Sequence, residues 1–466
     1  MQKQISFFLS ALSLSLITSC SVDNISSNEY ADENFISDRS HISSKKFAGD
    51  GIYDVLGHGY DATGEYANAS SSGFKVIDIE KYKIDHSNRV LSDNSLTQFF
   101  TDEYGENAET YSKMVSTKID VTAGIPLFKK TLSVAFNSSV TTNNKFDAKY
   151  IYGSTNLVIT QKHNRLNATA DELADYLTPE FLQDLQTKTP QQIVQFYGTH
   201  VLVDIYTGAK MEVMFQSETT NESRDRAARI GVKVGMKDIF NVDVNNDVNT
   251  SETSKNYSRK LSYRTRGGDP SKGLTGEINL DQVNPKINFA AWQNSSTPNN
   301  SVLVDFGFNG LVLIYDLVKD PAKKASLQAY VNQYLDNNKV LLEYIPVPVY
   351  GFYSSSERDH YLATHPGTPQ NYYGEGELFK AFKYKVPNTV PVYQFYSGTE
   401  RDHYYSTYPV TPANYVNEGI AFYATLDNSK KPIYQFYSGT ERDHFYSTYY
   451  GTPANYVPEG VAFYAY

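Results

Sequence analysis

Three copies of one segment fill the last quarter of the chain: PVYGFYSSSERDHYLATHPGTPQNYYGEGELFKAF, PVYQFYSGTERDHYYSTYPVTPANYVNEGIAFYA and PIYQFYSGTERDHFYSTYYGTPANYVPEGVAFYA. His360, His403 and His444 are spaced by 43 and 41 residues, and Gly376, Gly419 and Gly460 keep the same spacings. Each copy reads as strand, tight turn, strand, a Thr-Pro loop, Glu-Gly and a last strand. One copy cannot bury its own apolar strip. Three copies therefore predict a closed all-β domain over 346–466 with approximate threefold symmetry, the strips meeting at the axis.

Each copy carries a charged cluster: Arg358, Asp359 and His360; Arg401, Asp402 and His403; Arg442, Asp443 and His444. A carboxylate beside an imidazole admits zinc or calcium. A catalytic centre rarely needs three equal copies, whereas turn chemistry does. The leading reading is structural, with Asp and Arg bridging the turn and His bonding backbone or lying under aromatic rings. Ligand recognition comes second, and no metal or cofactor is assigned. Tyrosine, present 39 times, stacks well on sugars and on protein surfaces. The domain is expected to recognise a surface receptor or glycan, with a lectin-like shape.

The N-terminus, MQKQISFFLSALSLSLITSC, has Lys3 ahead of an apolar run too short to span a membrane with anchors. Small residues leading into Cys20 resemble a bacterial lipobox; an ordinary secretory signal is the alternative. The resemblance implies a leader over 1–19 and acylation of Cys20. Cys20 is the only cysteine, so no disulfide is expected. Residues 20–48, rich in Ser, Asn, Asp and Glu, read as a polar tether. Their acidic start resembles the export tails of Bacteroidetes lipoproteins, which implies an outer-membrane lipoprotein, surface-exposed or released in vesicles.

The middle of the chain is organised around QQIVQFYGTHVLVDIYTGA, Gln191–Ala209. A short helix ends in Tyr197-Gly198-Thr199-His200, and Val201 to Tyr206 alternates as one strand closed by Gly208-Ala209. A buried His200 needs a hydrogen-bond partner, for which the adjacent Thr199 is a poor candidate. Thr178-Pro179 and Thr189-Pro190 mark helix starts, after a helix near 171–176. Phe181, Leu182 and Leu185 form the apolar side of the helix after Thr178. Tyr-Gly-Thr-His, then a hydrophobic residue, then Gly-Ala, resembles the signature of the membrane attack complex/perforin (MACPF) family. This chain has Val201 where the family usually has an aromatic residue, and Ala209 where it often has glycine. The resemblance spans 49–340. It implies an α+β domain with a bent central antiparallel sheet flanked by helical clusters that refold into membrane-crossing strands. It also places conserved hinge glycines at Gly267 and Gly268.

Two segments fit the refolding role. Within 110–160, Leu132, Val134 and Phe136 fall on one side of an alternating stretch, although plain β-sheet fits the periodicity nearly as well. Within 211–262, Ile230, Val232, Val234 and Met236 alternate with Gly231, Lys233, Gly235 and Lys237, and Val242 and Val244 resume the pattern. A barrel strand wants one lipid face and one polar lumen face. The same pattern suits an ordinary half-solvated strand. Isolated strands cannot satisfy their edges in lipid, so a pore requires self-association into a ring. The segments expected to leave the body are 112–147 and 213–258.

A chain of 466 residues, 40% hydrophobic and 20% charged, is a folded body of two or three domains. A net charge of −10 argues against nucleic acid as a partner. The glycines at 57, 59 and 64 lack both P-loop and dinucleotide spacing and read as a turn. No nucleophile elbow, zinc helix or Walker lysine is present, so no catalytic residue is assigned. Two functions remain: a pore-forming toxin against competing bacteria, acting on a target membrane, or a non-lytic surface adhesin or glycan-binding lipoprotein using the repeats.

Overall fold

The computed structural model describes residues 51–117, 125–242 and 254–466. Cys20, the expected leader and tether, and Val244 lie outside the described residues. The first domain opens with β1 (His58–Tyr60) and β2 (Ser72–Lys75), then the long β3 (Val90–Gly105), the short β4 (Phe146–Asp147) and the long β5 (Ile151–Leu166). Next come β6 (His200–Leu202), β7 (Asp204–Thr219), β8 (Asn256–Arg266), β9 (Thr275–Asn279), β10 (Val302–Phe306), β11 (Leu311–Leu313) and β12 (Leu342–Glu343). The central sheet is antiparallel in the order β3-β5-β7-β8-β9, and β10 pairs the first part of β7. β6 belongs to a second sheet of order β11-β6-β1-β2.

Period-two alternation assigns the sheet's faces. Ile151, Leu157, Ile159, Met211, Val213 and Phe215 are buried on one face, under α6 (Arg224–Phe240). Tyr152 and Met214 belong to the core on the other face, which also takes in α1 (Ala108–Ser116) and α2 (Lys129–Ala135). The two suspect segments therefore lie as helices on opposite faces of one bent sheet. α3 (Ala170–Leu173), α4 (Pro179–Thr187) and α5 (Pro190–Tyr197) start at Thr169, Thr178 and Thr189, each hydroxyl accepting the N–H three residues on. α7 (Pro321–Asn337), capped by Asp320, buries Leu327, Val331 and Leu335.

Several expectations are corrected. Val201–Tyr206 is not one strand: Val203 and Asp204 both donate to the Gly310 carbonyl, and the chain passes there from the small sheet into the central one. Gly208-Ala209 does not close the strand, which runs to Thr219. Of the segments expected to leave the body, 213–219 and 256–258 are here rungs of the central sheet. Ile230, Val232, Val234 and Met236 lie in a helix, as the resemblance implies for a segment packed on the sheet. Leu132 and Phe136 are buried but Val134 is 47% exposed, because in a helix positions i and i+4 share a face and i+2 does not. Leu182 is exposed for the same reason, while Phe181 is buried.

The second domain repeats one three-stranded antiparallel unit. β13 (Val347–Ser354) lies between β14 (Asp359–Ala363) and β15 (Tyr373–Ala381). β16 (Thr389–Ser397), β17 (Asp402–Ser406) and β18 (Val416–Thr425) repeat this, as do β19 (Lys431–Ser438), β20 (Asp443–Ser447) and β21 (Val457–Ala465). The strips meet where Phe379, Phe422 and Phe463 form a triangle with ring centroids 5.5–5.7 Å apart.

Candidate membrane-inserting elements, hinge and repeat core

The Tyr-Gly-Thr-His turn is threaded between backbones that leave no room for side chains. A Cβ on Gly59 would lie 1.8 Å from the Tyr197 carbonyl oxygen, and one on Gly198, at φ +83°, 2.4 Å from the Tyr60 carbonyl carbon. His200 is wholly buried, and its Nδ1 lies 2.8 Å from Thr199 Oγ1, so the adjacent threonine is the partner after all. Its Nε2 has no hydrogen-bond partner among the described residues. Burial pushes the imidazole down to about 3, so it is neutral at physiological pH. His200 lies in β6 of the small sheet, not in the central sheet that carries α1, α2 and α6.

Gly267 and Gly268, the expected hinge, converge with Gly208. Gly208 sits where β7 passes from β10 to β8 as neighbour, and a Cβ there would meet the Ile159 carbonyl oxygen at 1.9 Å. The register of β5 against β7 slips at the same level, between Thr160 and Lys162. Gly267, at φ +68°, ends β8 with its Cα facing the Gly208 carbonyl, where a Cβ would come within 2.3 Å. Gly268 follows at φ +72°. The buried Trp292 donates its indole N–H to the Gly267 carbonyl at 2.9 Å. Gly208, Ala209, Gly267 and Gly268 therefore meet at one bend.

The faces under the two helical clusters differ in chemistry. Beneath α1, Glu103 accepts the Ser154 hydroxyl at 2.5 Å and the Asn156 amide at 2.8 Å, and Tyr111 of α1 donates to Ser154 at 2.9 Å. On the same side Glu212 accepts from Arg264 at 2.7 Å and Arg266 at 3.1 Å. Burial alone would raise the Glu212 carboxyl, but Arg266, Lys210 and Arg264 together hold it well below the ordinary carboxylate range. This face therefore carries the buried Glu212 carboxylate among Lys210, Arg264 and Arg266. The α6 face is apolar. Glycines one turn apart on α6, Gly231 and Gly235, admit Phe215 and Leu261 of the sheet; a Cβ would meet those side chains at 2.3 and 2.5 Å. The i, i+4 glycine spacing was visible in the sequence but was read there only as the polar side of a strand.

The N-terminal end of α6 also touches the second domain. The Arg224 guanidinium donates to the carbonyls of Glu106 and Lys149 at 3.0 Å and of Ala148 at 2.9 Å, and packs 4.6 Å from the Tyr384 ring centre. Phe382, Tyr384 and Val386 form a small core with Ala148. No sequence motif signalled this contact.

In the repeats, Asp359, Asp402 and Asp443 are wholly buried, with carboxylate oxygens within 4.8 Å of one another. Contrary to the expectation, they do not bridge the turn with their own arginines. Each instead receives the imidazole Nδ1 of another copy: His403 on Asp359, His444 on Asp402 and His360 on Asp443, all at 2.6 Å. The same histidine's backbone N–H and a tyrosine hydroxyl, from Tyr372, Tyr415 or Tyr456, also donate to each. The cycle closes the three copies on one another. Tyr353, Tyr396 and Tyr437 cover the imidazoles at 4.5–4.7 Å, as expected for histidines under aromatic rings. Arg358, Arg401 and Arg442 are exposed and reach Glu441, Glu357 and Glu400 of other copies at 3.5–3.6 Å.

A bent antiparallel sheet with glycines at its bend and a helical cluster on each face defines a perforin-type pore-forming fold. The model of the MAC/Perforin domain matches residues 44–342, more than half the chain, and the protein belongs to the MACPF family. Members of this family are generally non-catalytic. A second family model, a domain of unknown function (DUF5648), matches residues 348–466. Among solved structures, a MAC/Perforin-domain protein from Bacteroides thetaiotaomicron is 18% identical, covers 69% of this chain and 72% of its own, and has a TM-score of 0.51. GNIP1Aa from Chromobacterium piscinae is 15% identical, covers 88% of this chain and 82% of its own, and also has a TM-score of 0.51. These likenesses show the fold. No curated protein matches the chain.

Proposed function

We propose that this protein is a pore-forming antibacterial toxin. The repeats bind a receptor or glycan on the target cell. Copies then assemble into a ring, and the segments around α1–α2 and α6 leave the sheet and cross the membrane as β-hairpins. A lipid on Cys20 holds the chain at the producer's outer membrane or in vesicles until it meets a target.

The observation that carries this reading is α6. Its sequence alternates with the period of a strand, yet it is folded as a helix. Gly231 and Gly235 each cost about 1 kcal/mol against alanine in a helix interior, and Ile230, Val232 and Val234 are weak helix formers. Packing against Phe215 and Leu261, not propensity, holds this helix. The same residues extended would present Ile230, Val232, Val234 and Met236 to lipid and Arg229, Gly231, Lys233, Gly235 and Lys237 to water. The charged face under α1 supports the reading, because release of that cluster exposes groups that already carry charge.

A disulfide lock tests it. A Cβ on Gly153 of β5 would lie 3.2 Å from the Val232 Cβ, close to disulfide geometry. The Gly153→Cys/Val232→Cys chain, oxidised, should bind target cells without releasing dye from them, and reductant should restore release. Full release with the bond verified by mass spectrometry contradicts the mechanism. Cell binding by the wild type with no release under any condition favours the adhesin.

A further inference from the structure

Between the exposed edge strand β3 and the N-terminal half of α6 lies an open cavity of about 420 Å³. Arg226, Arg229 and Lys233 line it, and their spacing of three and four residues puts them on one helix face. Tyr104 of β3 forms the opposite wall, with its ring 5.8 Å from the Arg229 guanidinium. Ser223 and Asp225 close the end, and the Ser223 hydroxyl donates to Asp225 at 3.0 Å. Lys233 is the unusual member. It is only 5% exposed, and no described residue gives its side chain a hydrogen bond or an ion pair. Its stem is packed while its ammonium ends in the cavity without a counter-charge, and an anion bound there would pair it.

We propose that this cavity binds a phosphate ester, with Lys233, Arg229 and Arg226 on the phosphate oxygens. Guanidinium pairs match phosphate geometry, and the start of α6 adds a favourable dipole. The volume is generous for bare phosphate and suits a phosphate carried on glycerol or a sugar. The ligand is either a soluble phosphate ester or a lipid headgroup. The site exists only while α6 is a docked helix. By linkage, an occupied site holds α6 in place and opposes its release, and this consequence rests on the pore-forming reading.

Calorimetry on the full water-soluble chain with glycerol 3-phosphate, and flotation with phosphatidylglycerol against phosphatidylcholine vesicles, test the site without any leakage measurement. Saturable binding by the wild type should weaken about tenfold or more in Arg226→Gln/Arg229→Gln and in Lys233→Met. Lys237→Gln, on the same helix but outside the cavity, should bind as the wild type does, and Lys233→Arg should retain binding. Binding in both arms assigns the soluble ester, and binding confined to anionic vesicles with the same variant pattern assigns the lipid headgroup. Binding to neither probe, or equal binding by the wild type and the Arg226→Gln/Arg229→Gln chain, whose changes are exposed and spare the core, overturns the proposal. A chain that binds but never forms pores leaves the site standing and removes the proposed function. A chain that forms pores but binds no phosphate does the reverse.

Discussion

At the scale of single residues, burial decides what each polar group can do. His200 titrates near 6.5 in an unfolded chain and near 3 in the fold. Its folded value is depressed, so the stability it allows is full above about pH 6.5 and is lost as pH falls towards 3. The loss approaches about 1.4 kcal/mol per pH unit across that window. In denaturant titrations at pH 7, 6, 5 and 4, His200→Gln should show a shallower decline than the wild type; parallel curves would mean that His200 is not neutral and buried. Asp402 is the analogous test in the second domain. Removing the buried carboxylate that His444 and Tyr415 contact leaves polar groups unsatisfied at roughly 1–3 kcal/mol each, so Asp402→Ala should unfold at lower denaturant than Arg401→Ala, whose side chain is exposed. Sequence reading found both histidine sets but not their partners. Thr199 was dismissed as adjacent, and Asp402 was expected to face its own turn. Such pairings are set by how copies and layers meet, which spacing along one chain does not encode.

At the scale of elements, strand periodicity and helical conformation coexist in α6. The alternation at Ile230 to Met236 and its polar side were legible from periodicity, whereas the helix followed only from the family resemblance, because tertiary packing on Phe215 overrides local propensity. The repeat strands were read in the right order because each closes locally by hairpins. Two predictions belong here. Gly231→Ala raises helix propensity but drives a methyl into the buried Phe215 ring, so the docked helix should lose about 1–3 kcal/mol. Hydrogen exchange should then quicken in 224–240 and dye release should speed up; unchanged exchange would show that α6 does not rely on that contact. On the proposed pore-forming reading, an extended α6 would line the lumen with Arg229, Lys233 and Lys237 from every copy. Planar-bilayer reversal potentials should therefore show anion preference, reduced in Arg229→Gln/Lys237→Gln, and cation preference in the wild type would contradict the assigned faces.

At the scale of the molecule, the two domains meet where Arg224 packs on Tyr384. On the proposed pore-forming reading, target binding by the repeats would reach α6 through this contact at the base of the helix. Tyr384→Ala removes the ring from Arg224 and should raise the rate of dye release at equal cell binding; equal rates would make the contact passive. The central claim is that α6 exchanges its helix for a membrane strand. The measurement that tests it most directly is a scan of single environment-sensitive probes at cysteines placed one at a time from 229 to 237, in a chain whose native Cys20 is replaced, read on assembled rings in target membranes. Lipid-borne quencher should reach 230, 232, 234 and 236, and aqueous quencher 229, 231, 233, 235 and 237. Quenching with a period of three to four residues, or probes silent to both quenchers throughout, would mean that α6 stays a helix on the sheet.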